Sequence, residues 1–177
     1  RESQDRLELA VKAAGIGYWD ADLTSDTVHY SPEWKLQLGY AAEELPGNFG
    51  LWRSLLHPED RAAAETRVAD YLAGRIPTYA VEFRLRHKDG SYRWIYSRGQ
   101  LLNDQQGNPT RMLGCHLDIT ERKQADRKFQ AFALLGKQLS AAATVQEAAK
   151  LIADAADSLL GWDAAALIMF DEKTGLC

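Results

Sequence analysis

Between Tyr79 and Ile119 three segments of alternating polar and apolar residues follow one another across turn-sized gaps. The first two, Tyr79 to His87 and Tyr92 to Leu102, flank Lys88-Asp89-Gly90-Ser91, and an Asp-Gly pair between alternating runs is a strong hairpin signal. The third, Thr110 to Ile119, follows Asn103 to Asn108, a longer loop that contains Gly107. Strands joined by hairpins are antiparallel, so this part of the chain predicts an antiparallel sheet, not a parallel one. A sheet with one apolar face must be covered by something, and the upstream segments supply the cover.

Upstream, Asp5 to Ala14 places Leu7, Leu9, Ala10, Ala13 and Ala14 at helical spacing and ends at Gly15. Gly17 to Leu23 alternates as a strand, Thr24 to Thr27 is a turn, and Val28 to Tyr30 is a second short strand. Ser31-Pro32-Glu33 is a helix start: Ser31 caps, Pro32 suits the first helical position, and Glu33 meets the positive end of the dipole. That helix is brief, because Gly39 follows within two turns. His57-Pro58-Glu59-Asp60 repeats the logic and opens a helix to about Leu72, stopped at Gly74, with Ala63, Val68 and Leu72 as its buried stripe. Five antiparallel strands with short helices on one face make an α+β domain of about 120 residues.

The rear third has a different character. All five prolines and ten of the thirteen glycines lie at or before Gly114, whereas residues 125–166 contain fourteen alanines. Ala is the strongest helix former, so a long C-terminal helix is predicted. Ala125, Phe129, Phe132, Gly136, Leu139 and Ala143 recur at spacings of four and three, a coiled-coil-like seam about three heptads long. Gly136 and a new cap at Thr144, with Glu147 three residues on, are the two places where the helix can break. A strand from Trp162 to Phe170 and a turn from Asp171 to Gly175 follow the stop at Gly161.

Composition excludes several classes of function. The net charge of −4 comes from interspersed acids and bases, without the basic stripe that a nucleic-acid surface needs. The longest apolar run, Ala164 to Phe170, is far short of a membrane span, and no basic-then-apolar leader is present. Cys115 and Cys177 are the two cysteines, with no metal-ligand spacing, so a reducing cytoplasmic compartment is expected. There is no phosphate-binding glycine loop, nucleophile elbow or HExxH, so the segment is not expected to be an enzyme. The ends at Arg1 and Cys177 lead us to expect an excerpt of a longer polypeptide.

From Leu7 to about Lys123 the chain resembles a PAS domain with its C-terminal PAC segment. The resemblance rests on GIGYWDADL and VHYSPEWKLQLGY, then LLHPEDR, then EFRLRHKDGSYRW, and finally GCHLDITERK, in that order. It implies a five-stranded antiparallel sheet whose helices enclose a small cavity, and a role in sensing that is passed to an effector. The segment from Thr144, ending in WDAAALIMFDEKTG, is similar to the opening of a GAF domain. The implied organisation is a PAS/PAC sensor over 1–121, a helical linker over 122–143 and a truncated GAF-like start over 144–177.

Candidate residues follow from the residues and from this likeness. Trp34, Trp52, Tyr71, Phe83, Met112 and Cys115 are the expected wall of a cavity for a small hydrophobic or aromatic ligand. Trp19 and Trp94 complete the aromatic set, for which simple core is the plainer role. Haem is not supported, since no histidine lies between Glu59 and Leu72, and His57 and His116 fall outside that helix. Flavin is not supported either, because flavin-binding members carry their cysteine on a helix and Cys115 is in a strand. His57, Glu59 and Asp60 have metal-ligand chemistry, but consecutive residues point around a helix, so a helix start is the better reading. Glu82, Arg84 and Arg86 are expected on a solvated sheet face.

Asp118, Ile119 and Thr120 mark the change from strand to helix, with Asp118 as cap; in the family this junction couples sheet to outgoing helix. Ala125, Phe129, Phe132 and Leu139 are the expected seam of a homodimer. The expected function is a sensory relay in a bacterial signalling protein, first a sensor histidine kinase of a two-component system. The alternatives are the sensor region of a diguanylate cyclase and a ligand-free constitutive dimerisation module.

Overall fold

A computed structural model describes residues 6, 9 and 11–160. The predicted strand Trp162 to Phe170 and turn Asp171 to Gly175 lie outside the described residues, as do Leu7, Ala10 and Cys177. In order, the elements are β1 (Gly17–Asp22), β2 (Thr27–Tyr30), α1 (Pro32–Gln37), α2 (Phe49–Leu55), α3 (Pro58–Leu72), β3 (Tyr79–Arg86), β4 (Tyr92–Asn103), β5 (Pro109–Asp118), α4 (Thr120–Ala141) and α5 (Val145–Leu160). The strands form one antiparallel sheet in the order β2-β1-β5-β4-β3. The terminal strand of the hairpin run therefore returns to the centre, between the first strand and the fourth.

Parity of the strands decides what is inside. Trp19 and Ala21 of β1, Val28 and Tyr30 of β2, Phe83 and Leu85 of β3, Ile95 of β4 and Met112 of β5 point into one core. The helices α1 to α3 add Trp34, Leu51, Trp52, Leu55 and Ala64 from above. On α3 the buried residue is Ala64, not the predicted Ala63, which is exposed; Val68 and Leu72 are half-buried. The stripe is thus one position further round the helix.

The predicted caps form as chemistry demands. Ser31 precedes α1, and its hydroxyl accepts from the Trp34 amide at 3.2 Å and the Tyr18 amide at 3.1 Å, tying helix to β1. His57 Nδ1 accepts from Glu59 N at 3.3 Å before α3, while α2, a helix not expected from the sequence, is capped by Asn48 through Leu51 N at 2.9 Å. The β3–β4 turn is a three-residue loop: His87 and Ser91 pair, Gly90 has φ +88°, and no described non-glycine residue has positive φ. A left-handed glycine closing a type I turn is the economical route for Lys88-Asp89-Gly90.

By packing, the chain divides into two units between Glu121 and Arg122. Within the second unit, α4 runs uninterrupted through Gly136, and the break comes at 142–144. There Thr144 Oγ1 accepts from Glu147 N at 3.2 Å and Glu147 Oε2 from Ala143 N at 3.0 Å, a reciprocal cap that starts α5. On α4 Phe129 and Phe132 are 74% and 58% exposed, Ala125 is exposed and Leu139 is half-buried.

Candidate functional site

The sheet and its helices enclose a cavity of about 30 Å³. Its floor is the inner face of the central strands, through Trp19, Ala21, Met112 and His116. Its roof and sides come from Phe49 and Trp52 of α2, Val68 of α3 and Tyr79 of β3. A buried water needs roughly 10–15 Å³, so the space admits a water or the tip of a larger group.

Of the six expected wall residues, Trp52 and Met112 line this space. Phe83 packs edge-on against the rings of Trp52, at 5.8 Å, and His116, at 5.5 Å. Tyr71 lies behind Tyr79, with ring centroids 5.9 Å apart, and Trp34 lies behind His116. Cys115 does not belong to the wall. It is three residues from Met112 on one strand, an odd separation that puts it on the opposite face, in register with Tyr18 and Arg98. The residue that takes its expected place is His116.

His116 and Trp19 supply the polar character of the cavity. Trp34 Nε1–H donates to His116 Nδ1 at 2.7 Å, which assigns the ring proton to Nε2. Full burial drives the imidazole pKa down to about 3, so the ring is neutral. Trp19 lies across Gly99 and Gly114, cross-strand partners whose missing side chains leave a trough for the indole. Its Nε1–H is buried and has no hydrogen-bond partner among the described residues. Burial raises the Tyr79 hydroxyl to a pKa of about 12, partly offset by the neighbouring Ser97 hydroxyl, so it too is neutral. His116 was recognised in the sequence only as a non-haem histidine. Its spacing of four from Met112, which places both on one face of β5, was the signal that could have found it.

At the output end of the sheet, Asp118 Oδ1 accepts from Thr120 N at 2.8 Å. Thr120 Oγ1 in turn accepts from Trp94 N at 2.9 Å, while Trp94 O accepts from Ile119 N at 2.8 Å. The backbone of Trp94 is thereby held on both sides by the first residues of the outgoing segment, and Ile119 and Thr120 are buried. The Trp94 ring carries the Arg84 guanidinium 5.3 Å above its centroid.

Arg84 departs from the solvated face expected for it. Its Nε bonds Asp60 Oδ2 at 2.9 Å and its Nη2 bonds Asp60 Oδ1 at 2.7 Å and Glu59 Oε2 at 2.8 Å. The Arg84 amide also donates to Asp60 Oδ2 at 2.8 Å. The guanidinium holds the carboxyls of both Asp60 and Glu59 below their usual range. Glu82 and Arg86 are exposed as expected. His57, Glu59 and Asp60 thus start a helix and clamp an arginine; among the described residues no cluster of three potential ligands could hold a metal. No helix of the described residues is long and apolar enough to cross a membrane.

Comparison with known proteins agrees with this geometry. Residues 27–116 match the protein family described as PAS fold. The solved structure of a sensory box histidine kinase/response regulator from Burkholderia thailandensis superposes with a TM-score of 0.62 and 38% identity, covering 71% of this chain and 92% of that one. The probable diguanylate cyclase DgcE of Escherichia coli is 32% identical over 124 residues, 70% of this chain and 11% of that protein. The blue-light-activated histidine kinase of Brucella anthropi is 30% identical over 127 residues, 71% of this chain and 25% of that protein. The chain therefore spans a quarter or less of the length of these two relatives.

Proposed function

The chain belongs to the PAS fold family, and from that premise we propose that it senses through its cavity, or through dimer state, and relays the result through Asp118, Ile119 and Thr120 to α4. The observation that carries this reading is the double clamp on the Trp94 backbone by Ile119 and Thr120. These bonds tie the end of β5 and Thr120 to the backbone of β4, which supports a coupling of sheet movement to the start of the outgoing segment.

In this reading 1–121 is a PAS/PAC sensor, 122–143 a helical linker and 144–177 the start of a GAF-like domain. The parent protein is a cytoplasmic bacterial signalling enzyme, a sensor histidine kinase first and a diguanylate cyclase second. Histidine kinases and a cyclase both occur among the relatives, which supports the order without separating the outputs. The input is a small hydrophobic or aromatic ligand. Phe129 and Phe132, exposed on α4, support a homodimer through the linker, because apolar rings on a helix are stabilised by a partner's face.

The test is made in the full-length protein. Thr120→Val removes the acceptor for Trp94 N while keeping size and shape. Phosphorylation or cyclic-dinucleotide output that no longer responds to the input, in a variant whose domain still melts cooperatively above the assay temperature, is expected. Output indistinguishable from the parent's overturns the relay.

A further inference from the structure

Outside the cavity, and sharing residues with it, lies a second space. A cleft of about 570 Å³ opens between the β1–β2 turn, α2 and α3. Phe49, Trp52 and Val68 line both the cleft and the inner cavity, so these three side chains are the partition between them. Phe49 and Val68 are only half-buried, and side chains near a surface exchange rotamers quickly. Across this partition a water-sized inner space adjoins a cleft within the range of small-molecule sites.

The chemistry on either side of the partition is unequal. The residues lining the inner cavity include two donors, Trp19 with its unpartnered Nε1–H and His116, whose proton is on Nε2 because Nδ1 is taken by Trp34, beside the neutral Tyr79 hydroxyl. Arg67, whose buried Nε has no hydrogen-bond partner among the described residues, acts on the Tyr79 hydroxyl but lines neither space. The cleft carries Asp26, Glu65 and Arg53, the last two paired at 3.3 Å, against an apolar wall of Leu23, Trp52 and Leu72. An anion would meet no unpaired cation in the lining, and a cation would meet the donors.

We infer that cleft and cavity are one binding site for a neutral aromatic compound with a single hydrogen-bond acceptor, whose acceptor passes Phe49 and Val68 to reach the indole N–H of Trp19. A ligand acceptor can satisfy this buried donor, whereas a ligand donor cannot. This deepens the sensor reading given above. It is tested by binding alone, so it can fail while the relay at Thr120 stands, and the reverse.

The probes are quinoline, a neutral bicycle with one acceptor, and indole, a bicycle of similar size with one donor. Calorimetry on the 177-residue chain near neutral pH is expected to give quinoline at least about a tenfold lower Kd than indole. Trp19→Phe, which deletes the donor and keeps an aromatic ring, is expected to reduce that preference to about threefold or less. Val68→Phe fills the partition and is expected to abolish quinoline binding in a chain whose melting is otherwise unchanged. It carries the test if Trp19→Phe does not fold. Indole binding as tightly as quinoline, no quinoline binding, or wild-type affinity in the Val68→Phe chain would each overturn the inference.

Discussion

Trp34 and His116, 82 positions apart in the chain, are joined by a buried 2.7 Å hydrogen bond from indole N–H to imidazole Nδ1. The bond fixes α1 onto the central strand and fixes the imidazole tautomer in the cavity floor. Trp34→Phe leaves Nδ1 buried without its donor and removes part of a ring that also stacks on Tyr30. A loss of about 2–4 kcal/mol is expected from the stranded acceptor and the lost volume, read as a lower urea midpoint with an unchanged slope.

His116 also sets an acid limit. Its pKa falls from 6.5 to about 3 on folding because burial disfavours the charged ring. The unfolded chain therefore binds more protons than the folded one between these values, so stability is fully present above about pH 6.5 and falls as pH drops towards 3. Asp89, held at about 2 chiefly by Ser91, and Asp60, lowered chiefly by Arg84, add their own losses only below about pH 4. Melting followed between pH 7 and pH 4.5 is expected to show a slope approaching about 1.4 kcal/mol per unit. His116→Gln should flatten it; an equally steep slope in that variant would count against the buried neutral ring.

Arg84 links three elements: Asp60 on α3, its own strand, and Trp94 on β4. Arg84→Lys keeps the charge but loses the planar fork and the stacking, and about 1 kcal/mol of destabilisation is expected. In a double-mutant cycle with Asp60→Asn the two changes should be non-additive, since each removes the same bonds.

Two glycines make opposite predictions. A Cβ at Gly114 would meet the Trp19 ring and lie 2.5 Å from the Arg98 carbonyl oxygen, so Gly114→Ala should destabilise by about 2 kcal/mol or more. Gly136 is helical with open space around its would-be Cβ, so Gly136→Ala should raise the stability of α4 by about 0.5–1 kcal/mol. Thermal melts of the two variants, monitored by helical circular dichroism, separate the effects.

The sheet was legible because its signals are local. Alternation over Tyr92 to Leu102, the Asp-Gly turn and the Ser31-Pro32 cap each act within a few residues, and each fixed an element to within a residue or so. The cavity wall was less legible, because membership depends on which strand faces which helix. Tyr71 and Phe83 are aromatic and inward yet stop one layer behind the space. Arg84 looked like an ordinary solvated strand residue, since its acidic partners lie 24 and 25 positions earlier on α3. Only the Cys115 assignment conflicted with information already present, the parity of the strand it shares with Met112.

The same parity limits how β5 can move. Sliding by one residue would turn Cys115 and Leu113 towards the helices and throw His116 and Met112 outwards, reversing the hydrophobic order of the strand. Sliding by two would restore the order but drive a bulky side chain into the gap that Trp19 occupies opposite Gly114. With both translations closed, the low-energy deformations left to this strand are bending and torsion. In the relay proposed above, the motion passed to the helix beginning at Thr120 would be a twist of the strand, not a slide.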